Sequence, residues 1–126
     1  MSSQANPQQF EDKGYFRRQF PRRAMKRKAG ILCDGSYFVV ETGEVGEGGI
    51  SILSEYVLTE GRELVINFQV PSGDFVSLRA TVRSTQKKEG DHRVTHGLSF
   101  SEVAFAIKRQ IRAFVSARKD ESTKLN

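Results

Sequence analysis

The stretch ELVINFQVPSGDFVSLRATVR, residues 63–83, decides the fold. Leu64, Ile66, Phe68 and Val70 alternate with Glu63, Asn67 and Gln69, and Val65 is the one apolar residue on the polar side. After Pro71-Ser72-Gly73-Asp74 the alternation resumes, with Val76, Leu78, Ala80 and Val82 set against Ser77, Arg79, Thr81 and Arg83. A period of two sends one set of side chains to each face of a pleated strand. Proline fixes φ and glycine admits φ > 0, so the four residues between the runs read as a turn. The stretch therefore predicts two half-buried antiparallel strands joined tightly.

Working outward, the pattern recurs on both sides. Ile31–Cys33 and Tyr37–Val40 flank Asp34-Gly35, a hairpin signal. Glycines 43, 46, 48 and 49 mark a tight backbone stretch before a strand at Ile50–Leu53. A turn at Lys87–Asp91 leads to a last alternation of Val94, His96, Leu98 and Phe100. The period then changes. Ser101 is placed to cap a helix in which Val103, Ile107, Ile111, Phe114 and Val115 recur at helical spacing, and Arg109, Arg112 and Arg118 favour its later turns. The expectation is an all-β chain: a six-stranded antiparallel barrel over residues 29–100 with a C-terminal α-helix over 102–118. Residues 1–14 and 119–126 are polar and read as flexible tails.

A chain of 126 residues, 37% hydrophobic and 28% charged, fits one soluble globular domain. No apolar run approaches the roughly 18 residues that span a bilayer. The N-terminus lacks the apolar region of a secretory signal. Cys33, alone in the sequence, has no partner for an internal disulfide and fits a small strand residue that is buried or half-buried. These features lead us to expect a cytoplasmic protein with no membrane insertion.

The net charge is +5, but its distribution is uneven. Arg17, Arg18, Arg22, Arg23, Lys26, Arg27 and Lys28 fall in one segment without an acidic residue, and without those seven the net charge becomes −2. A near-neutral domain with a basic arm over 15–28 calls for a local anion site rather than a generally adhesive surface. Within the arm, Pro21 fixes its own φ and pushes Phe20 toward an extended conformation, so Arg17-Arg18-Gln19-Phe20-Pro21-Arg22 does not read as a helix. Guanidinium groups spaced along an extended segment can fork onto phosphate oxygens and lie flat on a nucleobase. The second stretch of interest is Glu44-Val45-Gly46-Glu47-Gly48-Gly49, whose glycines let a ligand or another backbone come close. It lacks the Lys-Ser/Thr ending and following helix of a P-loop.

Nothing in the remaining residues argues for an enzyme, a metal or a cofactor. His92 and His96 lie four apart in a strand-like region, where that spacing does not converge on a metal, and read as strand decoration. Ser36, Ser51 and Ser54 have no His/Asp partners in a nucleophile-elbow context, and the acidic residues form no pair.

The two stretches together resemble the PilZ domain family. That family carries an RxxxR motif at its N-terminal edge and, some twenty residues on, a (D/N)xSxxG motif leading into a strand. Arg18 and Arg22 fit the first motif, with Arg17 as the preceding arginine, and Glu44, Gly46 and Gly49 fall at the Asp/Asn, Ser and Gly positions of the second. Gly97-Leu98-Ser99-Phe100 is similar to the family's closing strand. The resemblance implies a six-stranded barrel that binds cyclic di-GMP. Arg17, Arg18 and Arg22 would contact phosphates and guanine, and the second motif would hydrogen-bond guanine from the barrel surface.

Two positions depart from the pattern. Glu44 carries its carboxylate one methylene further out, and Gly46 lacks a hydroxyl, a loss on the order of 1 kcal/mol for one hydrogen bond. On this reading the chain is a receptor that orders its arm on the ligand and signals to a partner protein. The alternative is a degenerate PilZ interaction module that does not bind cyclic di-GMP. A nucleic-acid binder is disfavoured, because the strands show few exposed aromatics for base stacking.

Overall fold

A computed structural model describes residues 20–117 of the chain. The deciding stretch forms β5 (Glu63–Gln69) and β6 (Phe75–Lys87), paired antiparallel from Glu63↔Thr81 to Gln69↔Phe75. The turn between them is closed by Gly73 N–H donating to the Val70 carbonyl at 2.7 Å. Upstream, β2 (Lys28–Cys33) and β3 (Ser36–Gly46) meet at Asp34-Gly35, both with positive φ, as a two-residue hairpin turn requires. β4 (Gly49–Ser54) and β7 (Val94–Phe100) supply the last barrel strands.

The strand order is β3-β2-β5-β6-β7-β4, and β4 pairs back onto β3, so six antiparallel strands close into a barrel. Closure removes the long free edges that an open sheet would expose. Inward positions of every strand fill the interior, with Ile31, Ile52, Ile66, Phe68 and Val82 buried. Each such side chain stabilises the fold by about 1.5–3 kcal/mol relative to exposure. Val65, the apolar exception, sits half-buried on the outer side of β5. Cys33 is buried as expected, and burial with the neighbouring Asp34 carboxylate pushes its thiol above the ordinary value, partly opposed by Arg62.

A further short strand comes from the basic arm. β1 (Arg22–Ala24) pairs with residues 44–46 of β3, on the same edge that β2 uses further along. The two are separated at Met25–Arg27, where Lys26 turns the chain with φ +49°. The break stays tied to β3, since Met25 N–H donates to the Gly43 carbonyl and Thr42 N–H to the Arg27 carbonyl, both at 2.7 Å.

The helix α1 spans Phe105–Ser116 and buries Ile111 and Val115 against the barrel. It starts later than residue 102, because Ser101 is still held to the sheet: its N–H donates to the Arg79 carbonyl at 2.8 Å. Ala104 takes the N-cap place without a side-chain cap. Residue 118, the expected helix end, lies outside the described residues. His96 also corrects the sequence reading. It is fully buried rather than decorating the strand, with Leu58 N–H donating to its Nε2 at 3.2 Å and Nδ1 facing Thr85 Oγ1 at 3.2 Å. His92 is exposed, 3.6 Å from Glu55.

Candidate functional site

The register of β1 on β3 lays Arg22, the last residue of the first motif, against the second motif. Arg22 stands opposite Gly46, Arg23 opposite Val45 and Ala24 opposite Glu44. Successive strand residues face opposite ways, so Arg22 lies exposed while Arg23 turns toward α1. There Arg23 donates to the Phe114 carbonyl at 2.9 Å, with its guanidinium 4.3 Å from the centre of the Phe114 ring. Arg17 and Arg18 lie outside the described residues.

Gly46 is explained by backbone proximity. A Cβ there would come within 2.7 Å of the Pro21 carbonyl oxygen, so only glycine lets the arm lie flat on β3. The direction in which the family's serine would project is filled by the arm itself. Gly49 meets a similar limit from the other side, since a Cβ would fall on the Leu98 carbonyl oxygen of β7. Glycine at 49 thus permits the β4–β7 pairing that closes the barrel.

Glu44 lies exposed on β3 beside Ala24, next to a register shift between Thr42 and Val45. Its N–H donates to Ser51 Oγ at 2.9 Å, which fixes the backbone there. Among the described residues its carboxylate forms no ion pair. Glu47 differs. Its two oxygens accept from Arg112 Nε at 2.8 Å and Arg112 Nη2 at 3.0 Å. That bidentate bond holds the Glu47 carboxyl below the ordinary carboxylate value, against the opposing pull of burial. Phe20 lies over Gly48 at the tip of the turn.

Arg22, Glu44 and Gly46 are therefore neighbours, and Gly49 lies just past the turn on β4. Sequence reasoning missed the roles of Arg23, Glu47 and Arg112, which together fasten α1 to the arm and to the glycine-rich turn. Arg112 and Glu47 are separated by 65 positions, and no local pattern links them. Arg112 lies in the second half of the helix, as the sequence suggested, although the last turn itself holds no basic residue. Among the described residues no cluster of His, Cys, Asp and Glu could hold a metal ion, and no helix is long and apolar enough to cross a membrane.

A closed six-stranded antiparallel barrel, a C-terminal helix and an arginine strand laid on a glycine-rich turn define a class of domain. The PilZ domain pattern matches residues 16–117, and the chain belongs to that family. Solved structures share the fold at low identity. The Bacillus subtilis inhibitor of motility MotI/DgrA superposes with a TM-score of 0.75 at 16% identity, over 82% of this chain and 52% of that one. The PilZ domain of Escherichia coli YcgR, solved with cyclic di-GMP, gives 0.67 at 17% identity, over 86% and 95%. The K. pneumonia MrkH complex with cyclic di-GMP gives 0.68 at 11% identity, over 86% and 55%. This chain thus spans about half the length of MotI/DgrA and of MrkH. No curated protein matches it by sequence.

Proposed function

We propose that this chain is a cyclic di-GMP receptor rather than an enzyme, with a site formed by the arginine arm and the glycine-rich turn. The observation that carries the reading is the β1 register, which sets Arg22 directly opposite Gly46 and two residues from the partner of Glu44. Guanidinium groups at this edge would fork onto the two phosphates and stack on guanine. The Glu44 carboxylate, exposed and without an ion pair among the described residues, is suited to accept from guanine N1–H and N2–H. Arg17 and Arg18 would complete the cage from the same arm. Ligand would order the arm, and the closed arm would be read by a downstream protein in the cytoplasm, an order-on-binding switch.

Calorimetric titration with cyclic di-GMP, with GTP as control, tests this. Micromolar or tighter binding is expected, weakened by an order of magnitude or more in Arg18→Ala and in Arg22→Ala. Absence of heat and of any thermal shift at high ligand would remove the reading. One observation favours a second reading, a ligand-blind interaction module: the Pro21 carbonyl occupies the space of the missing serine. A partner whose capture ignores added cyclic di-GMP, together with a silent titration, would select it.

A further inference from the structure

Beside the arm lies a groove of about 620 Å³ that none of Arg22, Glu44, Gly46 and Gly49 lines. It crosses β3 at residues 38–41 and reaches Tyr56 in the loop after β4. β3 is unusual along this stretch. One edge of residues 36–41 pairs with β2, whereas β4 pairs with the other edge only from Glu41 onward. Among the described residues no strand pairs with that second edge at residues 36–40. A closed barrel thus retains one short open edge, and the groove runs beside it.

The surroundings of this edge are apolar. Val39 and Tyr56 are each 59% exposed, and Leu32, Tyr37 and Val57 are exposed too. These make up five of the eight exposed large hydrophobic side chains among the described residues. Tyr56 is braced, its ring meeting Phe38 edge-on at 5.0 Å between centroids. Clustered exposed apolar groups around a groove mark an interaction surface.

The charges at the groove are not balanced. It holds two acidic residues, of which Glu41 accepts from Arg93 at 3.1 Å and Glu55 lies 3.6 Å from the His92 ring, against four basic ones. Lys26, Arg27 and Lys28 line the same groove and are exposed, and among the described residues none of them forms an ion pair. A second copy of the chain is a poor occupant, since pairing two open edges would bring two such basic collars together.

We infer that residues 36–40 of β3 accept an extended acidic segment of a partner protein by strand addition. Main-chain hydrogen bonds would run along the open edge, and alternate side chains would rest on Val39 and Tyr56. Lys26, Arg27 and Lys28 border the groove from the opposite edge of β3, beside residues 41–43, so carboxylates at the end of the segment nearest Glu41 would face them across the strand. Five residues of edge span about 17 Å, enough for a segment of five or six residues. The inference is independent of the cyclic di-GMP reading and is tested without nucleotide.

The probe is a fluorescein-labelled octapeptide alternating glutamate with valine, followed by anisotropy and by amide chemical shifts of the labelled protein. Saturable binding is expected, with shifts and new exchange protection confined to residues 36–40. Lys28→Glu should weaken it roughly tenfold, as reversal of a complementary charge does, and so should Tyr56→Ala. Both positions are exposed, and unchanged thermal melting would confirm that each variant folds. A version of the peptide with proline at alternate positions, which lacks half the N–H donors, should not bind. Equal binding of the proline peptide would overturn the inference. So would phosphatidylserine vesicles binding where the peptide does not, or concentration-dependent dimerisation through Val39.

Discussion

The two halves of β3 are used differently. Residues 42–46 have partners on both sides, with β1 on one edge and β4 on the other, and backbones approach so closely that Gly46 tolerates no side chain. Residues 36–40 have a strand on one edge only, and Tyr37 and Val39 stand exposed. The first half is filled by the protein's own chain and leaves the arginines at its rim. The second leaves backbone and apolar surface uncovered. On the two proposals made above, one strand would serve a small anionic ligand at one end and a polypeptide at the other, with local strand pairing deciding which.

The largest effect that would break this contrast lies at closure. Gly49→Val would drive a side chain into the Leu98 carbonyl, and overpacking of this kind costs about 3 kcal/mol. Urea denaturation should show the loss as a lower midpoint with an unchanged slope. Arg22→Ala should do the reverse, weakening cyclic di-GMP binding by about 2 kcal/mol, near 30-fold, for a charge-assisted bond, while leaving the urea midpoint in place. If both variants lower stability equally, the arm is part of the barrel core and the contrast fails.

Gly46→Ser sharpens the comparison further. It restores the family's hydroxyl, yet its Cβ would press on Pro21, so we expect weaker ligand binding rather than tighter, by about 1 kcal/mol. Tighter binding in a titration would mean that the arm lifts off β3 when ligand enters. The smallest expected effect concerns the Glu47–Arg112 bond, whose removal in Glu47→Gln should cost about 1 kcal/mol. Because the folded carboxyl lies below its ordinary value of about 4.3, its contribution is fully present above that pH and lost as pH falls through the depressed value. The melting-temperature gap between wild type and Glu47→Gln should therefore be constant near neutrality and close below about pH 4.

The barrel was legible because its strands obey period two and its first hairpin carries Asp34-Gly35, chemistry that specifies a turn without tertiary help. β1 was not legible as a strand. Arg22-Arg23-Ala24 has no apolar alternation, and its pairing depends on how near Pro21 can come to Gly46. The late start of α1 follows from a sheet hydrogen bond at Ser101 that no capping rule contains. For His96 the signal was present, since it shares a face with Val94 and Leu98, but its polar ring drew attention away from its position. The arm and the glycine-rich turn could be matched as motifs. Their fastening to α1 through Arg23 and Arg112 could not, because contacts between distant positions leave no mark on spacing.

β1 lies outside the circle of six strands, joined to it through the left-handed bend at Lys26. Among the described residues upstream of that bend only Met25 enters the core and Arg23 holds the helix, so the exposed positions there, Arg22 and Ala24, carry little of the barrel's packing. At those two positions, a ligand preference of the kind proposed could drift without a matching loss of foldability.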